Sequence, residues 1–145
     1  MNRQQRRILI NFVIVMAVTI VAAGGMVELS KWTNRSEAMR VMEKLSKLIG
    51  DYRQKNGSVP PETYVTALKE KLEGQVRMGE LHYRAMWIKF DSPPDTILAY
   101  ARKSYRSLFF HSGAIVLRFD GRVEWMDKAS FDKLLAQQLN PLEKE

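Results

Sequence analysis

An uncharged apolar stretch opens the chain, and the hydrophobic period then changes twice before the C-terminus. In residues 8–27, 16 of the 20 side chains are apolar, and Asn11 and Thr19 are the strongly polar exceptions. At about 1.5 Å of rise per residue, a helix of this length reaches roughly 30 Å, the thickness of a bilayer's hydrocarbon core. A core helix of a soluble domain is seldom apolar on every side for so long, so a membrane-crossing helix is expected. From Ser36 the pattern becomes amphipathic. Ala38, Met42, Leu45, Ile49 and Tyr52 recur at alternating spacings of four and three, with Val41 and Leu48 beside them, which predicts a helix with one buried face. No proline separates the two stretches, so they should merge into one helix. Asn56-Gly57 should end it, because both residues tolerate the left-handed backbone of a helix C-terminus.

Past Pro60-Pro61 a second, shorter helix is predicted, with Pro61 as its first residue and Glu62 in its first turn. Tyr64, Leu68 and Leu72 would form its buried side and Gly74 would close it. The period then shortens. Residues 81–90, 96–103 and 114–126 are rich in aromatic and β-branched side chains and are separated by turn-forming segments, the signature of strands. Asp120-Gly121 predicts a hairpin with a two-residue type I′ turn, which would place Arg118 opposite Val123 and Val116 opposite Trp125. Residues 128–139 return to helical spacing through Phe131, Leu134, Leu135 and Leu139, and Pro141 stops them. The expected class is α+β: an N-terminal transmembrane helix continues into a long amphipathic helix packed on a small antiparallel sheet, with a C-terminal helix. The helices are expected on one side of the sheet.

Charge adds orientation. Of the 23 Lys and Arg residues, Arg3, Arg6 and Arg7 precede the apolar stretch, whereas Lys31 and Arg35 beyond it are mixed with Glu28 and Glu37. The positive-inside rule then divides the chain into a basic cytoplasmic tail (1–7), a transmembrane helix (8–27) and an exported domain (28–145). Trp32, just beyond the apolar stretch, fits an interfacial anchor. The same features also fit a cleaved signal peptide ending near Ala22-Ala23-Gly24-Gly25, and either reading exports the domain, placing it on the periplasmic side of the cytoplasmic membrane. The exported part carries a net charge of +4 with no dense Lys/Arg cluster. Nucleic acid is therefore not the expected partner; the bilayer is, together with a protein partner or a second copy of the chain. Absence of cysteine excludes a disulfide scaffold, Cys-based zinc sites and thiol catalysis.

Three features together resemble the type IV pilin-like proteins, a group that includes the type II secretion pseudopilins. The apolar helix running into an amphipathic one is the first. The second is residues 52–61, in which Tyr52, Asn56-Gly57 and Pro60-Pro61 are similar to the Tyr…Asn-Gly…Tyr-Pro signature that follows this helix. The third is residues 111–125, which resemble the His…Asp-Gly hairpin of bacterial pilin-like proteins through His111, Asp120, Gly121 and Trp125. The resemblance implies a pilin-like fold and a non-enzymatic role through protein–protein contacts in an envelope or secretion-type assembly, with His111 bracing the hairpin. One departure matters. Members of that group are cut after a Gly preceding the apolar run and carry Glu at the fifth position beyond it; here Arg6-Arg7 stand before the run and no acid occurs up to Glu28. The alternative is therefore an anchored binding domain for an envelope partner or polymer that does not assemble.

Chemistry-bearing residues are sparse. His82 and His111 lack metal-ligand spacing, and turn or packing roles are expected for both. Asp91 and Asp95 flank Ser92-Pro93-Pro94 and read as turn formers, since calcium takes about six to eight oxygens. The basic and aromatic residues 102–106 are expected in a solvated loop, with anionic headgroups or a polymer as the other reading. No serine lies in a Gly-x-Ser-x-Gly elbow and no glycine-rich phosphate loop occurs. No catalytic, cofactor or metal residue is expected.

Overall fold

A computed structural model describes residues 3–73, 78–89, 91–104 and 111–143. The two N-terminal stretches do merge: α1 is one helix of 54 residues, Arg3–Asn56. Its first half, Gln4–Met26, is the one helix among the described residues long and apolar enough to cross a membrane, and none of it is buried by the rest of the chain. Thr19 returns its hydroxyl to the Val15 carbonyl at 2.8 Å, so this polar group makes little demand on its surroundings. In the second half the amphipathic stripe is the core. Ala38, Met42 and Leu45 are fully buried and Val41 and Ile49 nearly so. Gly57 ends α1 with φ +68°, and its N–H donates to the Arg53 carbonyl at 2.8 Å.

Helix α2 runs over Glu62–Glu73. The Pro61 carbonyl accepts from the N–H groups of Tyr64 and Val65, so Pro61 caps α2 rather than opening it. Val65 is the buried residue of α2, with Leu68 and Leu72 packed against the core. Tyr64, expected inside, is exposed at the rim, its ring 4.9 Å from that of Tyr52. Gly74 lies outside the described residues.

Four strands follow in a simple antiparallel meander of order β1-β2-β3-β4: β1 Leu81–Tyr83, β2 Ile97–Lys103, β3 Gly113–Arg118 and β4 Val123–Asp127. β1 is shorter than the stretch 81–90 suggests because the chain leaves the ladder at Arg84 and turns through a 3₁₀ segment, Ala85–Trp87. Ile97 faces Arg118 and Ala99 faces Leu117, leaving Leu98 as the extra residue of a bulge. Helix α3, Lys128–Gln138, starts where the Asp127 carboxylate accepts from Ser130 N–H at 3.0 Å. A final 3₁₀ turn spans Pro141–Glu143.

Two expectations are corrected here. Helices cover both faces of the sheet rather than one. Ile115 and Leu117 point into the core shared with α1, while Ala114 and Val116 point the other way, against Phe131 and Leu135 of α3. Residues 114–117 are apolar at every position, as two-sided burial requires. The hairpin is not a two-residue type I′ turn either. Arg118 N–H donates to the Arg122 carbonyl and Gly121 N–H to the Arg118 carbonyl, so three residues, 119–121, form the loop. Gly121 alone of these has positive φ, +91°, which is a type I turn closed by a G1 bulge. The register moves accordingly: Ile115, not Val116, faces Trp125, and Val116 faces Glu124.

Candidate functional site

The main polar contacts among the described residues of the domain fall into three groups, and each ties a loop to a regular element. The first is built at the C-terminal end of α1. Asn56 donates through Nδ2 to the Tyr52 carbonyl at 3.0 Å, which braces the last turn. Pro60 is fully buried, and its carbonyl accepts the Tyr83 hydroxyl at 2.9 Å. Burial raises the pKa of Tyr83, and the charge of Arg53 offsets this only in part, so its hydroxyl stays protonated as a donor. Tyr52, Asn56, Gly57 and Pro60 thus lie at one end of the molecule. Beside them a groove of about 570 Å³ opens between residues 57–62 and Tyr83, Ala85, Met86 and Ile88.

The second group docks the hairpin on α1. Ser46 donates its hydroxyl to the Gly121 carbonyl at 2.7 Å. Arg53 donates to the Phe119 carbonyl at 2.7 Å and lies 4.1 Å above the Phe119 ring. Asp120 accepts from the backbone N–H of Arg122 at 3.0 Å and from its Nε at 2.6 Å. Slight burial opposes ionisation, but these bonds and the charges of Arg122 and Arg118 outweigh it and hold the Asp120 carboxyl below its usual range. Arg122 also pairs with Asp95, while Arg118 donates to Glu124 and to the Asp95 carbonyl, both at 2.5 Å. Asp95 is therefore spent on arginines, and Asp91 lies exposed on a turn. At the opposite end of the hairpin Trp125 is half-buried with the Arg35 guanidinium 4.2 Å from its ring.

The third group escapes sequence reasoning. Arg84 is 3 % exposed. Its Nε and Nη2 grip the Glu143 carboxylate at 2.6 and 2.9 Å, Nη2 also reaches the Gln138 carbonyl at 2.7 Å, and Nη1 the Ile97 carbonyl at 3.0 Å. The C-terminal turn is thereby clamped onto the bulged end of β2. An arginine inside the aromatic stretch 81–90 is the signal available in the sequence, but its partner 59 residues on is not deducible from spacing.

His111 is exposed where β3 begins, and His82 stacks on Tyr100 with 4.9 Å between ring centroids. Arg6 and Arg7 are exposed on the first turns of α1; the side chains of Arg3 and Trp32 lie outside the described residues. Among the described residues no group of three His, Cys, Asp or Glu side chains could hold a metal ion. Each of the three groups fastens a described segment to α1 or to the sheet. No protein-family model, curated protein or solved structure matches this chain.

Proposed function

We propose that the chain is a membrane-anchored, pilin-like protein that works without catalysis, through protein–protein contacts in an envelope or secretion-type assembly. One observation supports this above the others. A single unbroken helix is apolar and uncovered over Gln4–Met26 and then buries a stripe of its second half against an antiparallel meander. Such a helix couples a bilayer span rigidly to a folded domain, so copies that pack side by side in the membrane also align their domains. Tyr52, Asn56, Gly57 and Pro60, which carry the resemblance in sequence, lie where that helix ends. The basic Arg6 and Arg7 before the span support an N-terminus inside and a domain on the periplasmic face.

A second reading, an anchored domain that binds an envelope partner without assembling, is favoured by Arg6-Arg7 directly before the apolar run and by the lack of any acid in residues 8–27. The chain has no cysteine, so single cysteines placed along Gln4–Met26 report contacts between copies without background. Oxidation of native membranes should give disulfide-linked dimers at positions spaced three and four apart, one helix face. Monomer at every position would contradict assembly and favour the second reading.

A further inference from the structure

A pocket of about 230 Å³ lies at the other end of the sheet, lined by Arg102, Lys103, Ser104, Ser112, Gly113, Lys128 and Phe131. Two cations, Arg102 and Lys128, and two serines line it on the α3 side, while Lys103, next along β2, turns its Nζ to Gly79 on the other face. Among the described residues the lining contains no carboxylate. Arg102 is steadied by Asp132 at 3.2 Å and lies 5.1 Å over the Phe131 ring. Asp127, beside Lys128, is turned to the N–H of Ser130 as the cap of α3. Two serines, an apolar floor and guanidinium and ammonium donors are the chemistry that takes a phosphate ester.

Position decides which phosphate. The hairpin tip docks on Ser46 and Arg53, whereas Trp125 meets Arg35, so the sheet lies along α1 with the Gly113–Asp127 pair towards the apolar segment. Asp127 is two residues beyond Trp125, about 7 Å along a strand and equal to four or five residues of helix. That sets the pocket near the level of residue 31, roughly 8 Å past the end of the span at Met26 for a helix along the bilayer normal. A headgroup layer is about 5–8 Å deep. We infer that this pocket binds the phosphate of an anionic phospholipid in the same bilayer that α1 crosses. The inference rests on the anchored reading above. Bound there, the lipid fixes the height and tilt of the domain over the membrane.

The test uses the full chain in nanodiscs of phosphatidylcholine containing a minor share of phosphatidylglycerol, with retained lipids counted by native mass spectrometry. Wild type should retain phosphatidylglycerol beyond its share. Lys128→Gln should lower that preference about fivefold, the weight of one cation at an anionic surface. Lys128→Arg should keep it, and Lys44→Gln, an exposed charge elsewhere on α1, should leave it unchanged. Equal preference in wild type and Lys128→Gln overturns the lipid assignment, as does its full displacement by millimolar inorganic phosphate, which would mark a site for soluble anions. A chain that leaves discs of pure phosphatidylcholine overturns the anchored reading and the lipid assignment together; one that stays but shows no preference overturns the second alone.

Discussion

Arg84 shows how much a single side chain can decide here, because three chain segments meet on its guanidinium. Arg84→Ala would strand the Glu143 carboxylate, only 13 % exposed, and two carbonyls; the loss should be about 3–5 kcal/mol, read from the urea midpoint of the full chain in detergent. Replacing both partners, Arg84→Met with Glu143→Leu, should recover most of it, since an apolar pair of similar volume leaves no orphaned charge. Asp120 supplies a pH effect of known sign. Its folded-state pKa lies below the usual 3.8, so its contribution is present above about pH 4 and is lost as pH falls through the lower, folded value. Asp120→Asn should therefore flatten the acid limb of the stability profile while leaving its shape above pH 5 alone. An unchanged acid limb would mean the Arg122 contacts contribute nothing to folding.

At the level of elements, the stripe on α1 and the hairpin carry the fold. Leu45 is fully buried in the core under the sheet, and Leu45→Ala should cost about 2–5 kcal/mol. Gly113 has no room to spare: a Cβ there would stand 2.2 Å from the Met126 carbonyl oxygen and 2.6 Å from the Trp125 ring. Gly113→Ala should separate β3 from β4 and shift Trp125 emission to the red, once Trp32 and Trp87 are replaced. Gly121→Ala should cost about 1–2 kcal/mol because its φ is positive, and Gly121→Asn less. The elements were legible because their periods are strong: the α1 stripe, the Asn56-Gly57 stop and helix α3 all stand where the pattern puts them. The hairpin turn was misread by one residue because Asp-Gly serves a type I turn with a bulge as readily as a type I′ turn, and a shift of one residue changes every facing pair. Two-sided burial of the sheet was written in the unbroken apolar residues 114–117, against the alternation expected of a one-sided sheet. Tyr64 came out at the rim because Val65 faces the core, a rotation too small for spacing to resolve.

For the molecule as a whole, the parts differ sharply in what they are fastened to. Residues 36–56 of α1, α2, the sheet and α3 share cores and cross-links, whereas none of Gln4–Met26 is buried by the rest of the described chain, and it exposes Ile8, Phe12, Val18 and Val21 among others. An apolar surface of that size needs a bilayer or other helices to cover it. The polar contacts that hold the domain together, Arg84–Glu143 and Ser46–Gly121 foremost, were beyond sequence reasoning because each joins residues far apart in the chain. The proposed function depends on orientation: basic N-terminus inside, domain outside, helix retained. Single cysteines at Gln5 and at the exposed Ala129, labelled in intact cells with a membrane-impermeant maleimide, test it directly. Position 129 should react at once on a full-length, membrane-bound chain, while position 5 should react only after the membrane is opened. Labelling at position 5 with protection of 129, or a labelled chain shortened by the first 25 or so residues and free in solution, would contradict it.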